Sequence, residues 1–152
     1  MSKQDVSQFN LFHRIIYTNR LLCKTNLVDS DLCTFCEEEV ESLEHLFFRC
    51  KISQDFWNAV FLWLSELHFE IDALNEIDTM LGYTSRSQFW TLLNHVIITG
   101  KQVIYHNRQR KTTSLLCHLI AKLKYIERIE KHIALNNRLD FHGEKWQPLL
   151  DM

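Results

Sequence analysis

Three cysteines and one histidine have the spacing of a metal site. The pattern is Cys33-x2-Cys36-x8-His45-x4-Cys50. Two intervening residues allow one tight turn to direct the sulfurs of Cys33 and Cys36 at a single ion, and the second pair then completes a tetrahedron. Thiolate and imidazole are the ligands that zinc prefers in proteins. The spacing therefore predicts one structural Zn2+ ion bound by these four residues.

The predicted ligand set is closed. Three thiolates and a neutral imidazole fill a tetrahedral coordination shell, so no position remains for a catalytic water. The alternative is that the four residues are core residues of a reduced protein, since Cys is among the most buried residue types, but this explains their joint spacing poorly. Cys23 and Cys117 have no partner at a metal spacing and are predicted to pack in the core. His13 is predicted to lie on a helix surface or in the interior.

The spacing of the second pair restricts the local structure. Residues five apart on a continuous α-helix differ in direction by about 140°, so His45 and Cys50 cannot share one face of such a helix. We therefore expect a short helix over residues 41–48 that ends near Phe48. Cys50 would then lie in the turn before Ser53, which is predicted to cap the next helix.

Composition favours a mainly α-helical fold with the zinc module between the first and third helices. Of the 152 residues, 46% are apolar, and there are only 3 glycines and 1 proline. So little Gly and Pro argues against an all-β fold with frequent turns, and three isolated glycines exclude a glycine-rich phosphate loop. We expect a single helical domain over 1–152, with a zinc-stapled acidic half at 1–76 and a basic helical half at 77–152.

Apolar residues recur at helical spacing along most of the chain. Residues 68–82 are predicted to be irregular, and Gly100 is predicted to allow close packing within its helix. Trp57, Trp63 and Trp90 are predicted to lie in the core. The predicted helices are 5–22, a helix from Ser53 through Leu67, a helix opened by a Ser85/Gln88 capping box and ending near Arg110, and a helix starting at Thr112 or Thr113. The apolar residues of the tail are expected to dock on the core; they are Trp146, Pro148, Leu149 and Leu150.

The two halves differ in charge. Residues 1–76 hold 6 Lys/Arg and 13 Asp/Glu, whereas residues 77–152 hold 11 and 6. The cations of the second half recur at helical spacing, which favours either a nucleic-acid-binding face or an ordinary solvated helix face, and both readings stay open. The candidate nucleic-acid-binding residues are Lys101, Arg108 and Lys111 on one helix, Lys124, Arg128 and Lys131 on the next, and the flanking Arg110 and Lys122.

The cysteine motif also carries a family likeness. The run Leu32-Cys33-Thr34-Phe35-Cys36, the run at 43–50 and Phe56-Trp57 resemble the zinc-binding domain found C-terminal to the polymerase in LINE-type (non-LTR) retrotransposon reverse transcriptases. One departure is Glu37, where zinc knuckles commonly have Gly. A left-handed backbone would be strained there, so we expect a different local turn.

The resemblance implies a binding role and no catalysis. The implied function is to help a polymerase engage its template RNA during target-primed reverse transcription. The alternative is a protein-interaction module that docks on a polymerase or a host protein. Expected partners are RNA or DNA and the polymerase domain of a parent protein, with no membrane and no small-molecule substrate. Since no signal peptide precedes the cysteines, an intracellular location, cytoplasmic or nuclear, is expected.

Overall fold

The computed structural model describes residues 16–69, 71, 75–84, 88–110, 115–137, 145–147 and 149. Helices dominate this part of the chain, and its sole β feature is an isolated bridge between Leu32 and Val40. The mainly helical prediction is confirmed. In chain order the elements are α1 (Asn19–Lys24), a π-helix (His45–Arg49), α2 (Lys51–Glu66), α3 (Glu76–Leu81), α4 (Gln88–Asn107), a 3-10 helix (Arg108–Arg110) and α5 (Leu115–Asn137).

The core lies where α2, α4 and α5 pack together, and the π-helix contacts α2, α3 and α4. Helix α4 is buried along much of its length, and Leu92, Leu93, Val96 and Ile97 are fully enclosed. Gly100 allows the close packing expected of it, because a Cβ atom there would lie 2.6 Å from Cη2 of Trp57. Trp57 is buried in this core, while Trp63 and Trp90 are partly buried against it.

The first helix is shorter than predicted. Tyr17 and Thr18 precede α1 in a non-helical conformation, and Thr18 has φ −85° and ψ 160°. The helix predicted over 5–22 is therefore wrong from 16 to 18, and its 5–15 portion lies outside the described residues, as does His13. The backbone carbonyl of Tyr17 is instead bonded to Arg108, a contact that helical periodicity does not encode.

Two further boundaries differ from the sequence prediction. The segment 68–82 contains the short helix α3, and the Asn75 side chain caps it by accepting from the Asp78 backbone N–H at 2.8 Å. Ser53 lies inside α2 and donates its hydroxyl to the Leu46 carbonyl at 2.6 Å, so it is not a cap. The predicted Ser85 cap and the start at Thr112 or Thr113 lie outside the described residues.

The apolar tail returns to the core. Trp146 and Leu149 are buried, with 1% and 5% of their surface exposed, which confirms the predicted docking for these two residues. Pro148 and Leu150 lie outside the described part of the chain. Among the residues that the structure describes, no helix is both long and apolar enough to span a bilayer.

Candidate metal centre

The first pair of ligands lies in a tight loop closed by backbone hydrogen bonds. The Cys33 N–H donates to the Glu39 carbonyl at 2.7 Å, and the Glu37 N–H donates to the Cys33 carbonyl at 2.8 Å. Glu37 has φ 59°, so the left-handed conformation is present without a glycine. The expectation that the turn avoids this conformation is wrong. The loop closure compensates a conformational cost of roughly 1 kcal/mol or more for a non-glycine residue.

The second pair is positioned by the π-helix. The Cys50 N–H donates to the His45 carbonyl at 2.7 Å, a bond between residues five apart. This wider turn brings residues five apart onto one side, which an α-helix cannot do. Cys50 then leaves the helical conformation with ψ 135°, and α2 starts at the next residue. The predicted interruption between the two ligands is confirmed, and the helical segment ends at Arg49, one residue after the predicted end near Phe48.

The four donor atoms converge. The side-chain donors of Cys33, Cys36, His45 and Cys50 all lie within 4.8 Å of one another. The Sγ atoms of Cys33 and Cys50 are 3.8 Å apart, and Cys36 Sγ is 3.4 Å from His45 Nε2. Tetrahedral zinc with typical bond lengths separates two sulfurs by about 3.8 Å and a sulfur from a nitrogen by about 3.5 Å. The site therefore fits one structural zinc ion, bound through Nε2 of the histidine.

Burial gives the cluster the character of a closed site. Cys33 and Cys50 are 0% exposed and His45 is 4% exposed, while Cys36 is partly exposed. The Cys33 thiol donates a hydrogen bond to Cys50 Sγ. This hydrogen bond and burial raise the pKa of the Cys33 thiol far above its ordinary value, whereas the same hydrogen bond lowers the pKa of Cys50 against the opposing effect of burial. Because zinc binds thiolates, loading the site displaces protons.

Glu39 lies beside the other nitrogen of the histidine ligand. Its Oε2 is 3.3 Å from His45 Nδ1, although Nδ1 makes no hydrogen bond in this arrangement. A histidine that binds a metal through Nε2 carries its proton on Nδ1, and a nearby carboxylate commonly orients such a ring. Glu39 is therefore the carboxylate positioned to orient this ligand.

A buried carboxylate, that of Glu41, connects the zinc loop to the second half of the chain. Glu41 is 0% exposed. It accepts hydrogen bonds from the backbone N–H groups of Asn19 and Thr34 and from the Thr34 hydroxyl, at 2.8 to 3.1 Å. Arg108 Nη1 donates to it at 2.7 Å. No spacing signal identifies this residue, since its partner is 67 positions away.

Residues 2–57 match the family model described as zinc-binding in reverse transcriptase. The match covers less than half of the chain and includes all four metal ligands. Together with the geometry of the four donors, it indicates a zinc-binding module of the kind found in reverse transcriptases. Comparisons with curated proteins and with solved structures find no match.

The structure divides the candidate nucleic-acid-binding residues into buried and exposed groups. Lys101 and Arg108 are buried, with 5% and 4% exposure, so they cannot form part of a basic surface. Lys122 is half-buried and donates to Gln102 Oε1 at 2.8 Å, and desolvation lowers its pKa. The predicted stripe of Lys101, Arg108 and Lys111 is therefore not formed as a surface feature, and Lys111 itself lies outside the described residues. The exposed members are Arg110, Lys124, Arg128 and Lys131.

The two cysteines outside the motif also differ from their prediction. Cys117 is exposed on α5, so core packing is wrong for it, and Cys23 is half-buried. Neither is part of the cluster of four donors. Core burial of a single cysteine is decided by which face its helix turns inward.

The buried Lys101 makes stability depend on pH. Its Nζ donates to the Met80 carbonyl, and desolvation lowers its pKa from 10.5 to about 7. Between these values the unfolded chain binds the proton more tightly, so stability rises with pH. We expect wild-type protein to gain up to about 1.4 kcal/mol per pH unit relative to Lys101→Met above pH 7, measured by urea unfolding.

The matched control for this prediction is Lys24→Met, which removes an exposed lysine at the end of α1. It makes the same side-chain change at an exposed position and shows how much of the effect comes from removing any lysine. Parallel pH dependence of Lys101→Met and wild type would show that Lys101 titrates at its ordinary value.

Proposed function

We propose that this chain is a non-catalytic zinc-binding accessory domain of a LINE-type (non-LTR) retrotransposon reverse transcriptase. In this proposal it lies C-terminal to the polymerase and helps it engage RNA during target-primed reverse transcription, inside the cell in the cytoplasm or nucleus. The observation that carries the proposal is the convergence of four zinc donors within the segment that matches the reverse-transcriptase zinc-binding family. A closed set of three thiolates and an imidazole favours a structural ion over a catalytic one.

The zinc loop itself is a poor phosphate-binding surface. Glu37, Glu38 and Glu39 are exposed there, and three thiolates around one divalent ion add a further negative charge. Arg49, the nearest cation along the chain, pairs with Glu76 at 2.9 Å. The zinc module therefore acts as a structural staple, and phosphate contacts must come from elsewhere.

The surface proposed to bind nucleic acid is the basic ridge of α5, formed by Lys124, Arg128 and Lys131. These residues are exposed, and their i, i+4, i+7 spacing places them along one side of the helix. A straight row of three cations can follow a phosphate backbone, and such binding is driven by counterion release.

Charge reversal on the ridge tests this proposal. We expect Arg128→Glu/Lys131→Glu to weaken binding of a fluorescent single-stranded RNA at least tenfold at low salt. Loss of two phosphate contacts should also reduce the slope of log K against log salt by about 1.4. Fluorescence anisotropy of the zinc-loaded chain over a salt series measures both quantities.

The matched control reverses two exposed cations on α1, in Arg20→Glu/Lys24→Glu. It makes the same change in net charge and should lower affinity much less. If wild-type protein shows no salt-sensitive RNA binding, the nucleic-acid part of the proposal is wrong. Equal losses in the two double variants would instead indicate an effect of net charge without a defined surface.

A protein-interaction module remains the second candidate, because α5 exposes large apolar side chains. Tyr125 and Ile129 are 65% and 41% exposed, and their i, i+4 spacing places them side by side. Such a patch is typical of a docking surface. Under this alternative, Tyr125→Ser/Ile129→Ser would abolish association with the polymerase domain while the ridge variants would not.

A further inference from the structure

A cleft of about 190 Å³ opens between α2, α5 and the docked tail. Its lining includes Trp63 of α2, Leu123 of α5, and Trp146 and Leu149 of the tail. Its volume is below the several hundred Å³ of pockets that hold drug-sized ligands. The cleft therefore suits a single ring system.

The tail side of the cleft is rigidly positioned. Glu130 of α5 accepts from the Trp146 indole N–H at 2.7 Å and from Lys145 Nζ at 2.7 and 3.0 Å. His95 packs edge-on against the Trp146 ring with the centroids 5.3 Å apart, and burial lowers its pKa to about 4. The ion pair between Glu130 and Lys145, the indole hydrogen bond and the contact with His95 hold Trp146 in place, so a ligand would meet a preorganised surface.

The rim of the cleft carries charge. Lys124 and Arg128, two residues of the basic ridge, line its opening and are exposed. Glu127 lies between them in sequence and also lines the cleft. A ligand that fits must combine a flat, mostly apolar ring with an adjacent negative charge, and N–H groups on the ring could face the carboxylate.

We propose that this cleft receives one base of a single-stranded nucleic acid, with the neighbouring phosphates bound by Lys124 and Arg128. The inference rests on the proposed function and specifies where a base would be held. Single-stranded nucleic acids are commonly bound in this way, by aromatic side chains for bases and cations for phosphates. A protein side chain fits less well than a nucleotide base, because a nucleic acid carries a phosphate on each side of the base that Lys124 and Arg128 can bind, and a peptide backbone carries no such charge.

A mononucleotide tests the cleft separately from the ridge. The chain has four tryptophan residues. In a proton–nitrogen correlation NMR spectrum of the zinc-loaded, nitrogen-15-labelled chain, each indole N–H group gives its own signal. Addition of guanosine monophosphate at millimolar concentration should shift the signals of Trp63 and Trp146. The signals of Trp57, whose indole donates to the Phe47 carbonyl, and of Trp90 should stay in place.

Two substitutions test the cleft with a longer ligand. Trp63→Leu should lower affinity for a single-stranded RNA decamer by about 5- to 150-fold, the range seen when one stacking residue is removed. Its matched control is Trp90→Leu, because Trp90 packs on Tyr83 and Phe89 and does not line the cleft. Ile120→Trp fills the cleft from α5 and should lower affinity with Trp63 still present.

The outcomes separate this inference from the proposed function. If RNA binds with salt dependence but neither the mononucleotide nor the Trp63→Leu and Ile120→Trp variants have any effect, the cleft assignment is wrong and the ridge stands. If RNA does not bind but the mononucleotide shifts Trp63, the cleft is a mononucleotide site, and both the single-stranded occupant and the nucleic-acid part of the proposed function are wrong. Failure of both measurements overturns both. A larger shift with N-acetyl-tyrosine amide than with the mononucleotide would identify the cleft as a protein-docking site and overturn the inference.

Discussion

Cys36→Ser is expected to release zinc and to unfold the zinc module. Serine is a poor zinc ligand. Loss of the Cys36 thiolate therefore leaves three donors around an ion that requires four. Binding of structural zinc contributes on the order of 10 kcal/mol or more to folding in small zinc peptides at neutral pH. Metal analysis should find much less than one zinc per chain, and hydrogen exchange should accelerate over 32–50.

The unfolding should be incomplete, because the rest of the chain has its own apolar core. Helices α4 and α5 bury Leu92, Leu93, Ile97, Leu115 and Leu119 against one another and their neighbours. Far-UV circular dichroism of the Cys36→Ser variant should therefore retain part of the helical signal. Chelation of the wild-type metal should produce the same partial loss.

Cys23→Ser is the control for this experiment, since Cys23 is half-buried and outside the donor cluster. It should keep its zinc and its helical signal. If carefully purified wild-type protein holds no zinc, or if Cys36→Ser retains a full equivalent, then the assignment of these four residues as a zinc site is wrong.

Arg108→Met is expected to destabilise the zinc-loaded protein by about 3–5 kcal/mol, as removal of one partner from a buried ion pair commonly does. Arg108 is 4% exposed and Glu41 is 0% exposed, so the substitution leaves a carboxylate without its counter-charge in the interior. It also removes the donor at 2.7 Å to the Tyr17 carbonyl and the guanidinium that lies over the Tyr105 ring. The measurement is the urea midpoint and slope of wild type and variant.

The same substitution should weaken the metal site from a distance. Glu41 bonds Thr34, which lies in the loop between the ligands Cys33 and Cys36. We therefore expect a chelator to remove zinc from Arg108→Met at a lower concentration than from wild type. Adding Glu41→Gln to Arg108→Met should recover part of the stability, because a neutral amide is less costly to bury than an unpaired carboxylate.

Arg110→Met is the matched control, since Arg110 belongs to the same 3-10 helix but is exposed. Its effect should stay within about 0.5 kcal/mol, as is usual for surface substitutions. Equal effects of the two substitutions would show that the pair between Glu41 and Arg108 does not stabilise the fold.

The long helices and the metal ligands could be predicted because their signals are local. The pattern from Phe89 to Ile104 repeats every three or four residues, and one such face must be buried. The spacing of the four ligands is set by their binding to one ion, so the zinc site can be predicted without knowledge of the rest of the fold. The division of the chain into two halves stays a prediction.

The short elements were harder to predict. Helix α3 is six residues long and has no extended periodic pattern. The break before α1 coincides with a bond between Tyr17 and Arg108, 91 positions apart. The π-helix adds one residue to a turn, which α-helical spacing cannot express. In each case the element is too short to show a periodic pattern, or the contact that decides its conformation joins residues far apart in the sequence.

The amino-acid sequence by itself determined the helical character of the chain and the four zinc ligands, since both depend on neighbours within one or a few turns. Only the tertiary structure decided which charges face water. Lys101, Arg108 and Glu41 look like surface residues in the sequence, yet packing of α3, α4 and the zinc loop encloses all three. Burial depends on partners far along the chain, and by the same measure Lys124, Arg128 and Lys131 of α5 are exposed along one side of that helix.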